Sequence, residues 1–342
     1  MHLFGSTEMV ERMRQNDQEG AIGMACKECV RTSCVGRRKD LAVSFCLSAV
    51  ILVGAYLLWG CSLRDVSRVG TDPYQGPPRQ QSRFVWPEGI RAAVSLTFDD
   101  ARPSQIDVGL PILNEYRVPV TFYVSPDRLK TRLRDWQKVT RSGHEIGNHS
   151  LRHPCTGNFP WARHKALEDY TLDRMRKELQ QANATIESLL SVRPVTFAYP
   201  CGQKYVGRGK QVRSYVPLVA EMFLSGRGWM DEGANDPTFC DLAQLLGTEL
   251  DGLEFQQAKK LIEAAAKDGF WLVFCGHEIG QGGRQTTRAD TLGAICDYAR
   301  DGDNGIWIDT VESIARYVQQ AQTGQAAVMK GPFWAVSFSP DL

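Results

Sequence analysis

Short apolar runs at residues 92–98, 120–124, 145–146, 195–199, 271–274 and 306–308, each bounded by Gly, Pro or Asp, constrain this chain more than any other feature. Between them lie stretches with helical spacing of apolar residues. Residues 106–116 carry Val108, Ile112 and Leu113 on one face, and 167–190 carry Leu172, Met175, Leu179, Ile186 and Leu190. Residues 255–267, 291–300 and 311–321 repeat the pattern, with Asp309 and Thr310 placed to cap the last. Strand alternating with helix predicts parallel strands with helices outside. From residue 84 to 325 the length suits an α/β barrel as one domain, and a doubly wound open sheet is the other architecture. Either one gathers its chemistry at the C-terminal ends of the strands.

The first part of the chain reads differently. Arg37, Arg38 and Lys39 precede residues 41–63, which carry no charge and are long enough to span a bilayer core. The basic cluster puts residues 1–40 in the cytoplasm, or makes them a leader, and everything after the span outside. Residues 41–63 are then a transmembrane anchor, an export signal, or a lipoprotein signal with Cys61 as the lipidated residue. Met24 would start a shorter basic leader. Residues 64–83, with Pro73, Gly76, Pro77 and Pro78, read as a linker, and 326–342 as a C-terminal tail.

Composition narrows the function. The chain has 40 Lys and Arg against 39 Asp and Glu, so nothing predicts a nucleic-acid partner, and no protein partner can be inferred. Its 10 cysteines are scattered rather than set out as a disulfide framework. Cys46, Cys275 and Cys201 lie in apolar stretches, where a free cysteine acts as a small hydrophobe. Cys26, Cys29 and Cys34 open like a zinc knuckle but have no fourth ligand nearby.

Polar groups collect at the predicted strand ends. Asp99 and Asp100 close the first run. His149 and His153 follow the third in "HEIGNHSLRHP", where Gly147 and Pro154 favour a loop. His277 follows the fifth through Gly276. Two imidazoles plus one carboxylate are a common ligand set for a catalytic divalent metal. One aspartate of the pair would bind it, leaving the other free to take a proton from water. His144 reads as structural and His164, between Arg163 and Lys165, as a surface residue.

"TFDD", "HSLRH", "FAYPCG" and "LVFCGH", in that order, resemble the motifs of the polysaccharide deacetylases, carbohydrate esterase family 4 with its NodB-like domain, over roughly residues 90–320. The resemblance implies a distorted (β/α) barrel, as a single catalytic domain at 84–325, that removes acetyl groups from N- or O-acetylated sugars. It makes Asp99 the general base, and Asp100, His149 and His153 the ligands of a divalent metal, usually zinc. It makes His277 the general acid. The Cys201 N–H would help hold the oxyanion, with Tyr199 and Trp229 about the substrate.

Three departures stand out. Ala198 replaces an arginine that many family members pair with the catalytic aspartate, leaving Arg193 or another base to substitute. Cys201 replaces an aromatic residue. Trp229 and Asp231 are the candidates for the residues that support the acid and line the pocket, unless "GRGWMDEGANDP" is simply a surface loop. The expected substrate is an acetylated polysaccharide or oligosaccharide, met outside the cytoplasm of a bacterial-type envelope by an enzyme held at the membrane through 41–63. The alternatives are a same-fold hydrolase of a small amide or cyclic imide, and an inactive, membrane-tethered glycan-binding protein.

Overall fold

The computed structural model describes residues 84–324. The leader, the uncharged span with Cys61, the linker, the Cys26–Cys29–Cys34 group, Cys46 and the tail 326–342 lie outside the described residues. Among those described, no helix is long and apolar enough to cross a membrane.

Eight strands form one parallel sheet: β1 (Ala92–Asp99), β2 (Thr121–Val124), β3 (Glu145–Asn148), β4 (Thr196–Ala198), β5 (Ser225–Arg227), β6 (Thr248–Glu249), β7 (Trp271–Gly276) and β8 (Ile306–Ile308). Their order is β5-β4-β3-β2-β1-β7-β6, with β8 also paired to β1. Every residue of β1 is buried, as expected of a parallel strand covered on both faces. One edge of β1 is shared by two strands. Its start pairs with β8 (Ala92 with Ile306) and its end with β2 (Asp99 with Tyr123). The other edge pairs with β7 from Ala93 to Phe98. At the far side, a parallel bridge from Arg227 to Leu245 brings the chain before β6 against β5. The sheet is thus a curled half-barrel of parallel strands, consistent with the expected barrel.

The helices pack outside the sheet. They are α1 (Leu110–Tyr116), α2 (Pro126–Thr131), α3 (Leu133–Arg141), α4 (Leu172–Leu190), α5 (Val216–Met222), α6 (Phe255–Asp268), α7 (Ala289–Arg300) and α8 (Val311–Gln322). Leu113 of α1, Ile262 of α6 and Leu292 and Ile295 of α7 are fully buried in one cluster with Leu96, Phe98 and Phe274. Each such side chain contributes ~1.5–3 kcal/mol relative to exposure. Thr310 caps α8 by accepting from the Ser313 N–H, and Glu254 with Gln257 forms a capping box on α6.

The predicted helix 167–190 begins only at Leu172, because Thr171 caps it and residues 167–169 form a separate 3-10 turn. The predicted helix 106–116 opens as a π-turn, Gln105–Gly109, before α1. Strands β5 and β6 and helices α2, α3 and α5 have no counterpart among the predicted elements. "SGR" in β5 has no apolar residue to read. Its Gly226 is nevertheless required, since a Cβ there would lie 2.7 Å from Val219 and 2.8 Å from the Ala243 carbonyl.

At the N-terminal end of the sheet, the buried Glu145 carboxyl accepts from Thr121 Oγ1 at 2.7 Å, from the Glu312 N–H at 2.9 Å and from Thr196 Oγ1. It ties β2, β3, β4 and α8 together, and burial pushes its pKa up to about 7.

Candidate active site

At the opposite end the strands stop in strained turns. Asp99 is the last residue of β1. Asp100 follows at φ 75° and Ala101 at φ 50°, in the left-handed region that costs a residue with a Cβ roughly 1–2 kcal/mol. Ser150 (φ 64°), His153 (φ 53°) and Cys201 (φ 55°) share that region. Such strain persists only where surroundings over-determine it. Here Asn148 Oδ1 accepts from the Ser150 N–H at 2.6 Å, and Ser150 Oγ accepts from the His153 N–H at 2.9 Å. The segment carrying both histidines is therefore a pinned loop rather than a helix.

That loop brings His149 and His153 to Asp100. Asp100 Oδ1 lies 4.0 Å from His149 Nε2 and 3.7 Å from His153 Nε2, and one ligand atom from each residue falls within 4.8 Å of the others. The donor set fits a divalent cation, and so do the tautomers. His149 Nδ1 lies 2.9 Å from the Ala198 carbonyl, which can only accept, so Nδ1 carries the hydrogen and Nε2 keeps its lone pair. His153 Nδ1 faces the Cys155 sulfur at 3.5 Å, and that disulfide sulfur has no hydrogen to give. Burial, then the neighbouring His149, pushes His153 down to about 3, so it is neutral. Burial alone would raise Asp100, but the two imidazoles and Arg102, 2.7 Å away, hold it well below the carboxylate range.

Asp99 has a different partner. Arg227, fully buried at the end of β5, donates through Nη2 to Asp99 Oδ1. Its Nη1 donates to the Gly228 carbonyl at 2.8 Å, and its guanidinium lies 4.9 Å from the Tyr123 ring centroid. Burial would raise Asp99, but Arg227 above all holds it below the ordinary value. Arg193 is exposed, and Arg227 plays the part expected of it. In the sheet, Ala198 and Arg227 are direct cross-strand partners. The cation therefore comes from one strand over, facing the alanine where the family's arginine would stand.

His277 follows β7. Its Nδ1 lies 2.7 Å from Asp251 Oδ2, while Asp251 Oδ1 accepts from the His277 N–H and from Thr287 Oγ1. Burial lowers the imidazole, but the Asp251 hydrogen bond and the charge of Asp99 outweigh it and leave it raised. Trp229 packs edge-on against His277, with ring centroids 5.4 Å apart. Asp231 instead accepts from the Gly247 N–H at 2.9 Å, so the carboxylate that holds His277 is Asp251. Asp251 lies in the turn after the two-residue strand β6, where no apolar run marks it in the sequence. Glu249 lies beside Asp251, pushed up to about 7 by burial and then by that neighbour's charge. Buried Gln105 donates through Nε2 to the carbonyls of both Asp99 (2.7 Å) and His277 (2.8 Å).

Asp99, Asp100, His149, His153, Cys201, Trp229 and His277 all line one cavity of about 620 Å³. Tyr199 does not. Its ring is buried in the core and its hydroxyl donates to the Ala243 carbonyl at 2.8 Å, because successive strand residues point to opposite faces. Cys201 is not a free hydrophobe: it is bonded to Cys155, joining the histidine loop to the turn after β4. His144 is buried and accepts from the Val120 N–H at 3.3 Å, and His164 is exposed, both as expected.

A family model described as polysaccharide deacetylase matches residues 88–215. Among curated proteins, the chain is 32% identical over 93 residues, 27% of its length, to the uncharacterized protein YlxY of Bacillus subtilis. It is 40% identical over 63 residues, 18% of its length, to a chitooligosaccharide deacetylase of Sinorhizobium fredii. It is 26% identical over 150 residues, 43% of its length, to the peptidoglycan-N-acetylmuramic acid deacetylase PdaC of Bacillus subtilis. The matches span 26%, 29% and 28% of those proteins' own lengths.

Among solved structures, a protein of Mycobacterium smegmatis assigned as a polysaccharide deacetylase aligns with TM-score 0.50 and 21% identity, over 73% of this chain and 97% of that one. Puue allantoinase aligns with TM-score 0.50 and 14% identity, over 72% and 95%. These two likenesses are of fold, and a fold hosts more than one chemistry. Arg227, Trp229, Asp251 and His277 lie beyond the stretch matched by the family model. Asp99, Asp100, His149, His153 and Cys201 lie within it, and over that stretch the chain is similar to the polysaccharide deacetylases.

Proposed function

We propose that the chain is a divalent-metal-dependent hydrolase that removes acetyl groups from an acetylated polysaccharide or oligosaccharide. One observation carries the reading. Two adjacent carboxylates differ in their partners: Asp100 lies between two imidazoles with free Nε2 atoms, while Asp99, also near His149, is held by a buried guanidinium.

Asp100, His149 and His153 would hold the cation, and zinc suits two imidazole nitrogens and one carboxylate oxygen. When bound, it supplies Lewis acidity, polarising the acyl carbonyl and making water a usable nucleophile near neutral pH. The residues of the chain do the rest. Asp99, held through Oδ1 by Arg227 with its Oδ2 3.9 Å from His149 Nε2, takes the proton from the attacking water. His277, held through Nδ1 by Asp251, gives a proton from Nε2 to the departing amine or alkoxide, without which that group leaves poorly. Trp229 fixes the imidazole plane and forms a wall of the cavity. The Cys201 N–H, on a turn fastened by the disulfide, is the donor proposed for the oxyanion.

Residues 41–63 would anchor the enzyme or direct its export, with the catalytic domain outside the cytoplasm. The Cys155–Cys201 bond supports that placement, since such bonds persist in oxidising compartments.

Acetate release by the full, metal-loaded chain from N-acetylglucosamine oligomers and acetylated xylan tests the reading. Asp99→Asn should cut turnover by about 10²–10⁴-fold, the range for a general base, and a chelator should abolish it. No acetate from any such substrate would overturn it.

A further inference from the structure

The mouth of the cavity carries charge that the chemistry just described does not use. Arg128 at the start of α2, Arg152 in the histidine loop and Arg284 in the turn after His277 all line it and are exposed. Among the described residues, none of these three guanidinium groups has a carboxylate within 4.0 Å. Lys165 joins them, its Nζ held by the Arg152 carbonyl at 2.6 Å. Asp127, the acidic residue of the rim, is neutralised by Lys130 at 2.9 Å. A chain balanced at 40 basic and 39 acidic residues has therefore gathered unpaired cations from separate segments around one opening. Charges of one sign at a cleft focus the field there and draw in ligands of the opposite sign.

The same rim holds an apolar platform. Phe159 and Trp161 stack 5.6 Å apart with planes 4° from parallel, yet they are 40% and 52% exposed. Trp161 lies 6.1 Å from the His153 ring and 5.5 Å from Lys165 Nζ. Exposed aromatics rimmed by polar groups mark ligand grooves. A flat aromatic pair suits the C–H face of a sugar ring, and the cations about it suit negative groups on that ring or the next.

We propose that this rim is a subsite for a negatively charged sugar chain, in which Phe159 and Trp161 hold a sugar and Arg128, Arg152, Arg284 and Lys165 bind its anionic substituents. The proposal rests on the deacetylase reading and narrows its substrate class to anionic glycans. The negative group is a carboxylate of the sugar itself or a phosphate or sulfate ester upon it.

The test compares kcat/KM for acetate release by the full, metal-loaded chain on three oligosaccharides. One is an uncharged N-acetylglucosamine oligomer. The second alternates N-acetylglucosamine with a uronic acid, and the third is an N-acetylglucosamine oligomer bearing sulfate esters. At low salt at least one charged substrate should be preferred by about tenfold or more, and which one it is identifies the source of charge. Raising ionic strength to 1 M, where the Debye length falls to about 3 Å, should erase most of that preference. Arg128→Gln, Arg152→Gln and Arg284→Gln should each lower the ratio about 1.4- to 5-fold, as for exposed charge pairs, and combine nearly additively. Lys177→Gln, an exposed charge on α4, serves as control. Equal use of charged and neutral substrates, with a ratio moved by neither salt nor the triple variant, would overturn the proposal and leave the deacetylase reading intact. If no substrate releases acetate, that reading fails instead. Calorimetric binding of the same oligosaccharides to the Asp99→Asn protein then decides the charge proposal. Salt-sensitive preference for the charged chains supports it, and equal affinity refutes it.

Discussion

Replacing Arg227 with Met should expose what the buried guanidinium does for Asp99. The two side chains are essentially without solvent contact. Removing one member of such a pair leaves an uncompensated charge in the interior and costs about 3–5 kcal/mol. For a domain of this size each kcal/mol shifts the melting temperature by about 2–4 °C, so Arg227→Met should lower it by roughly 6–20 °C. The same change removes the leading influence that holds Asp99 below its ordinary pKa, leaving burial to raise it. The acid limb of the kcat/KM profile should then move to higher pH, because a protonated Asp99 cannot accept a proton. Differential scanning calorimetry and a pH–rate profile read the two effects separately. Adding Asp99→Asn should restore much of the stability, since no charge is then left unpaired, but none of the activity. An Arg227→Met protein with an unshifted melting temperature and acid limb would refute the reasoning. So would a double variant that melts below the single one.

Two further perturbations test other parts of the site. Asp251→Asn keeps an acceptor for His277 but removes a charge that raises its pKa. Charge-assisted hydrogen bonds are worth about 1.5–3 kcal/mol, so the alkaline limb of kcat/KM should fall by about one to two pH units; an unmoved limb would show that His277 is not the acid. Replacing Cys155 and Cys201 with serine opens a cross-link 46 residues apart in sequence, which chain entropy values at up to about 4 kcal/mol. Urea unfolding of the oxidised protein, the reduced protein and the variant should give a higher midpoint for the first and similar midpoints for the others, and three equal midpoints would contradict this.

Much of the architecture was legible because the central strands are buried on both faces and read as continuous apolar runs. The strands at the open side were not legible. Ser225–Arg227 consists of a small residue, a glycine demanded by close packing and an arginine whose burial makes sense only beside Asp99. No local pattern announces such a strand. The metal-type triad could be read because its members sit next to strand ends in short motifs. Arg227 and Gln105 could not, since Arg227 acts on a partner 128 residues away and Gln105 bridges the ends of two strands. Asp251 is nearer in sequence to His277 than Asp99 is, yet it sits in a two-residue strand's turn with no apolar run to frame it. Cys201 misled for a related reason. An apolar flank describes a thiol's neighbours along the chain and says nothing of the Cys155 sulfur facing it across the loop.

Gln105 sets a mechanical condition for the chemistry. Its side-chain amide has two hydrogens, and the strand ends of β1 and β7 offer it two carbonyls, one on Asp99 and one on His277. If, as proposed, Asp99 gains a proton and His277 loses one in each turnover, the charge changes on both sides of this clamp. The clamp itself carries none and has nothing to titrate. The gap between Asp99 and His277 is thus set by a part that would not respond to the proposed cycle, as a jig keeps its tolerance whatever is worked in it.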